Sequence, residues 1–126
     1  MTFRAVLLTQ EEKAVTAEVA DLDDGQLPEG NVSVEVSYST LNYKDGMILN
    51  GIGRLVRDYP HVPGIDFSGV VSASSDPRYS EGDRVVLTGW RVGEVHWGGY
   101  SEKARVNADW LVKLPEGVSE LDAMAV

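Results

Sequence analysis

The sequence holds no cysteine, only two histidines and no long apolar run. Without cysteine there are no disulfides and no thiolate ligands, and the redox compartment stays undecided. A catalytic zinc needs about three His, Cys or carboxylate ligands converging on one point. His61 lies between Pro60 and Val62 with Pro63 close behind, a stiff extended segment that reads as structural, and His96 is far away in sequence. No metal-ligand spacing is present, and a zinc site is rejected. No apolar stretch approaches the roughly 18 residues of a membrane span. The run Ala5 to Leu8 is too short for the apolar core of a secretory signal, so the cytoplasm is the expected compartment. Basic side chains are scarce as well, 11 against 20 acidic ones for a net charge of −9, which argues against nucleic acid as a partner. Three fingerprints are missing: a GxGxxG turn after a strand, a phosphate-cradling P-loop and a G-x-S-x-G elbow.

What remains is one domain's worth of chain, 126 residues with 43% apolar and 25% charged side chains, the profile of an ordinary soluble globular protein. The acid is unevenly spread. Residues 11–29 carry Glu11, Glu12, Glu18, Asp21, Asp23, Asp24 and Glu29 against Lys13 alone, whereas residues 42–61 set Lys44, Arg54 and Arg57 against Asp45 and Asp58. Two readings stand: a solvated acidic rim, or a locally basic mouth for an anionic ligand on an acidic protein.

The dominant period is two. In NVSVEVSY, Val32, Val34, Val36 and Tyr38 fall on one face, and in IDFSGVVSA the inward set is Ile65, Phe67, Val71 and Ala73, with Asp66, Ser68 and Ser72 outward. Further strands are predicted in FRAVLL, in VTAEVA from Val15, in DRVVLTG from Asp83, in SEKARVN from Ser101 and in DWLVKLP, separated by Gly and Pro turn signals. One helix is predicted from Tyr43 to Asn50, opened by Asn42 and closed by Gly51. SELDAMAV reads as a helix just starting at Ser119, too short to form alone. The pattern predicts a mainly β protein, an antiparallel sandwich or small barrel.

Two stretches could carry chemistry. LNYKD puts Asn42, Tyr43, Lys44 and Asp45 where a strand runs into a helix, either as a ligand site or as plain capping with Tyr43 packed inward. GWRVGEVHWGGY, residues 89–100, gathers four glycines with Trp90, Arg91, His96 and Trp97 in a loop. Loop aromatics either line a cleft or interface, or pack.

Taken together, STLNYKD, VPGIDFSGVV, EGDRVVLTG and GGYSEKARV, in this order and across nearly the whole chain, resemble the N-terminal GroES-like domain of medium-chain dehydrogenases/reductases. VPGIDFSG is similar to the zinc-free quinone oxidoreductase branch. LNYKD together with TGWRVGEVHWGGYSE resembles the NADPH-dependent acrylyl-CoA reductases within it. The resemblance implies a GroES-like, partly open β-barrel over residues 1–126 with one or two short helices. Ile65 and Asn42 stand where zinc-dependent members have a metal-binding histidine and cysteine. It further implies hydride delivery from NADPH to acryloyl-CoA, giving propionyl-CoA, with quinone or enone reduction as the alternative within the branch. A free-standing, non-catalytic GroES-like binding module is the other alternative. Tyr43 and Asn42 would meet NADPH, with Lys44 and Asp45 orienting that pair or relaying a proton. Trp90, Arg91, His96 and Trp97 would wall the substrate cleft, and Arg54, Arg57 or Arg91 would meet CoA phosphates. In the resembled family a Rossmann domain follows this segment, supplying the pyrophosphate loop and most of a homodimer interface. The chain is therefore expected to end at the start of the helix leading to that domain. On its own it is expected to bind NADPH weakly and turn nothing over. The surface facing that domain is expected to expose Leu121, Met124 and Val126.

Overall fold

Alternating sequence becomes two antiparallel sheets in the computed structural model, which describes residues 2–125. Strands β1 (Thr2–Glu11) and β2 (Ala14–Asp23) form a hairpin ribbon. The larger sheet has the order β6-β3-β4-β5-β7, built from β3 (Val32–Ser39), β4 (Asp66–Ser74), β5 (Arg84–Thr88), β6 (Lys103–Val106) and β7 (Leu111–Lys113). Helix α1 (Tyr43–Leu49) follows β3, and α2 (Glu120–Met124) lies against β3, β4 and β5. This is the mainly β, partly open arrangement that the sequence predicts. Among the described residues no helix is long and apolar enough to cross a membrane.

A two-stranded ribbon is marginal by itself. Here β1 is zipped to the rest of the molecule. The Val6 N–H donates to Tyr100 O at 2.8 Å, Glu102 N–H to Arg4 O at 2.9 Å, and Leu8 and His61 exchange bonds of 2.7 and 2.9 Å. The core falls into clusters on either side of this seam. Val32, Val34, Phe67, Val71, Val85 and Leu87 fill the large sheet, while Leu8 meets Ile48 of α1 and Val56. Fully burying a side chain such as Phe67 stabilises by about 2–3 kcal/mol.

The alternation holds for Val32 and Val34 but weakens beyond them. Val36 is only half-buried and Tyr38 is 45% exposed, because a register shift between these residues re-aims the strand end. In β4 the expected faces reverse at two positions: Ala73 is exposed and Ser68 fully buried. At Ser68 the cause is α2, whose Glu120 carbonyl accepts from its Oγ at 2.7 Å, and at Ala73 it is the register shift opposite Ser33 and Val34. The short helix forms because tertiary partners hold it, as Arg84 also donates to Val118 O at 2.7 Å and Ser119 Oγ caps it by accepting from Asp122 N–H at 3.0 Å. Leu121 is 53% exposed and Met124 half-buried; Val126 lies outside the described residues. The segment predicted as a strand from Asp109 begins as a 3₁₀ turn at Ala108–Trp110, where Asn107 captures the Asp109 N–H.

Residues 98–100 run against residues 62–64 through three bonds: Gly98 N–H to Val62 O, Gly99 N–H to Gly64 O and Tyr100 N–H to Pro63 O, at 2.7, 2.9 and 3.0 Å. The approach is so close that a Cβ on Gly98 would fall on the Gly64 carbonyl oxygen. Gly98→Ala should destabilise the protein by about 3 kcal/mol, whereas Gly25→Ala, with open space around it, should stay within about 0.5 kcal/mol; chemical denaturation of both variants reads the contrast.

His61 closes the same seam. Its ring is 2% exposed, and Nε2 lies 2.7 Å from Gly93 O, so Nε2 carries the proton, since a carbonyl only accepts. Burial pushes the imidazole below its ordinary value of 6.5, against the smaller raising effect of the Gly93 bond. The folded protein keeps the ring neutral while the unfolded chain protonates it. Its contribution is therefore intact above 6.5 and lost as pH falls below, by up to about 1.4 kcal/mol per pH unit. The thermal midpoint should drop between pH 7 and pH 5, and His61→Gln should flatten that slope; equal slopes would remove His61 as the cause.

Candidate functional site

The local sequence 40–45 is pinned from beneath. Asn42 precedes α1 in an extended conformation, and its backbone N–H donates to Asp45 Oδ2 at 3.0 Å. The other carboxylate oxygen accepts from Ile65 N–H at 3.0 Å. Asn42 Nδ2 faces three acceptors: Thr40 Oγ1 at 2.7 Å, Asp45 Oδ2 at 3.2 Å and Asp66 Oδ2 at 3.3 Å. An amide oxygen could not serve two carboxylates, which fixes the side-chain orientation. Thr40 Oγ1 also donates to Asp66 Oδ2 at 3.3 Å, and the Tyr100 hydroxyl donates to Thr40 O at 2.7 Å. Burial, with the Asp45 and Asp66 carboxylates nearby, pushes the Tyr100 phenol up, so it holds its proton as a structural donor.

Asp45 is completely buried by this arrangement, while Tyr43 and Leu41 on either side of Asn42 are 86% and 78% exposed. Capping is therefore real, but Tyr43 is not packed inward. Lys44 points to Glu94, with Nζ 3.4 Å from Oε2, and Arg91 reaches the other oxygen at 3.1 Å. Glu94, 7% exposed, thus joins the two predicted stretches through one carboxylate. Trp90 and Arg91 both adopt φ of 57°, a left-handed pair costing about 1–3 kcal/mol per residue. Trp90 stays 59% exposed beside them.

The remaining predicted residues lie elsewhere. His96 is turned away from Lys44 and Arg91, with Nε2 donating to Arg105 O at 2.7 Å and its ring edge-on to Trp110 at 5.0 Å. Trp97 packs with Phe3 and Val62 and donates from Nε1 to Pro60 O at 3.3 Å. It also lines a small cleft of about 120 Å³ with Arg57 and Glu94. Arg57 is exposed and continues into a second cleft of about 470 Å³ that Lys13 and Arg54 share. Sequence reasoning named Asp66 only as an outward strand residue and passed over Thr40, Glu94 and Tyr100. Each belongs to a quoted motif, but nothing in its spacing shows that it closes a hydrogen bond across 26, 50 or 60 residues. Among the described residues no three His, Cys, Asp or Glu side chains converge as metal ligands.

Comparison with known proteins gives this geometry a family. The chain is 59% identical to an acrylyl-CoA reductase of Ruegeria pomeroyi over 98% of its own length and 38% of that protein's. It is 41% identical to a putative quinone oxidoreductase of Bacillus subtilis, over 97% of its own length and 37% of that protein's. The crystal structure of an Escherichia coli protein with bound NADPH superposes with a TM-score of 0.93 at 51% identity, covering 95% of this chain and 37% of that one. The chain thus spans little more than a third of the relatives it matches. Residues 28–116 match the model of the alcohol dehydrogenase GroES-like domain, well over half of the chain, which makes it a member of that oxidoreductase domain family.

Proposed function

We propose that the chain carries the substrate side of an NADPH-dependent reductase that converts acryloyl-CoA to propionyl-CoA. The observation that carries this reading is the partly buried Thr40–Asn42–Asp45–Asp66 lock, which leaves Tyr43 and Lys44 presented outward at one rigid point. The identity to an acrylyl-CoA reductase supports the substrate. The NADPH held by the Escherichia coli neighbour supports the cofactor.

The residues fit a nicotinamide. The uncovered Leu41 and Tyr43 side chains form an apolar strip beside the lock, against which a flat ring can lie. When bound, the cofactor supplies hydride to the β-carbon of the alkene. The conjugated thioester carbonyl takes up the electron pair as an enolate, and a proton adds at the α-carbon. Lys44 and Arg91, aimed by the shared Glu94 carboxylate, place positive charge where such an oxyanion develops. Asn42 and Asp45 act as positioning residues. With both Asp45 oxygens occupied, orientation of Tyr43 and Lys44 suits that pair better than proton relay. Trp90 stands over the mouth. His96 supports the loop from behind through Arg105 O, and Trp97 walls the cleft that reaches Glu94.

Quinone or enone reduction is the second reading, favoured by the Bacillus subtilis relative. Assay of the full-length protein with NADPH separates the two. We expect kcat/KM for acryloyl-CoA to exceed that for a quinone by about a hundredfold, and the opposite order would establish the second reading. The 126-residue chain alone should give no turnover. Asp45→Asn replaces an acceptor with a donor facing N–H groups, and it should cost about 2–3 kcal/mol of stability. Assayed well below its melting temperature, it should also lower kcat. Tyr43→Ala should raise KM for NADPH about tenfold while Tyr43→Phe stays near wild type; equal behaviour of the two would remove the ring from cofactor binding.

A further inference from the structure

The protein is acidic, yet some of its few cations are left without acids. Of the eleven Lys and Arg side chains, Lys13, Arg54, Arg57 and Arg105 have no carboxylate partner among the described residues. Three of these four line one cleft of about 470 Å³, together with Gln10, Gly51 and Val56. They remain unpaired even though Glu11 and Glu12 adjoin Lys13 and Asp58 adjoins Arg57 in sequence. Cations gathered without counter-ions repel one another. The cleft therefore concentrates positive potential at one place on a molecule of net charge −9.

From this arrangement we infer that the Lys13–Arg54–Arg57 cleft is the subsite for the phosphates of the CoA nucleotide of the thioester substrate; the inference rests on the acyl-CoA reading above. Guanidinium forks and an ammonium suit several phosphate oxygens at once, and the volume is that of a nucleotide-sized ligand rather than a single ion. Position agrees with the chemistry. Arg57 lines both this cleft and the neighbouring one that passes Pro60, Val95 and Trp97 to reach Glu94. Glu94 holds Lys44 and Arg91. A groove thus runs from the reacting end of the site, along a middle of mixed character where Asp58 and His61 join Pro60, Val95 and Trp97, to a cationic end. Helix α1, from Tyr43 at the site to Leu49 just before Gly51 of the cleft, rises about 10 Å, a span that an extended pantetheine arm covers with length to spare.

The test compares acryloyl-CoA with acryloyl-pantetheine, which carries the same reacting group without nucleotide phosphates, on full-length wild type and a Lys13→Ala/Arg54→Ala variant. Both positions are exposed, and a thermal melt verifies folding. Wild type should favour the CoA thioester in kcat/KM, and the variant should lose about tenfold or more of that preference. The wild-type preference should also shrink with added salt. An unchanged preference overturns the inference, as does a loss that appears in KM for NADPH instead, which would give the cleft to the cofactor's phosphates. Calorimetry with adenosine 3′,5′-bisphosphate decides independently of turnover. Binding by wild type that falls about tenfold in the variant supports the cleft, and equal binding or none overturns it. If acryloyl-CoA is not reduced while the bisphosphate still binds in the cleft, it is the proposed activity that fails.

Discussion

A carboxylate sealed from water must be met by hydrogen-bond donors or its burial is costly, and Asp45 imposes that condition on everything around it. It has no ion pair among the described residues, and its oxygens are satisfied by N–H groups from Asn42 and Ile65. These donors come from the start of α1 and from the residue preceding β4, so satisfying one side chain fixes the angle between helix and sheet. Thr40, Asp66 and Tyr100 extend the constraint to the end of β3 and the far end of the glycine loop. Such a network is rigid when complete and costly when broken, because its centre, Asp45, lies where no water can replace a lost bond.

The second constraint is steric. Residues 62–64 and 98–100 meet backbone to backbone, and Gly64, Gly93 and Gly98 crowd one another at a distance that side chains would forbid. This contact carries Glu94 to the helix, because the chain reverses there, with Gly93 N–H donating to His96 O at 2.7 Å and His61 bonding the Gly93 carbonyl. The glycines are thus less about flexibility than about proximity. They let a loop rich in bulky residues lie against residues 62–64, with Val92 and Glu94 buried and Trp90 left open to solvent.

Much of the fold is legible in the sequence because burial of one sheet face writes a period of two, as in Val32 and Val34. The legibility ends where something covers the other face. Ser68 reads as solvent-facing, but α2 lies over it. Tyr38 reads as core, but a register shift intervenes. The site is legible in a different way. Asn42, Tyr43, Lys44 and Asp45 stand out by chemistry at a strand-to-helix junction, whereas Glu94 and Tyr100 act through contacts that only the closed fold creates. His96 and Trp97 read from sequence as walls of a substrate cleft, and in the fold each also spends its polar group on a backbone carbonyl, Arg105 O and Pro60 O.

The two kinds of polar contact in this site differ in purpose, and magnitude separates them. The Asp45 bonds are buried, so losing an acceptor there leaves stranded donors at about 1–3 kcal/mol each. Lys44 and Arg91 are largely exposed, with side-chain exposures of 48% and 62%, and ion pairs of that kind contribute about 0–1 kcal/mol after screening. Stability alone therefore gives little reason to bury Glu94 between two cations, or to tolerate a left-handed Trp90–Arg91 pair beside it. What the arrangement does achieve is direction. A buried carboxylate anchors two exposed cations at one mouth, while Glu11, Glu12 and Glu18 are open to solvent. On the acyl-CoA reading proposed above, this arrangement sets two cations at the reacting end of a groove whose other end holds Lys13, Arg54 and Arg57, against a protein of net charge −9.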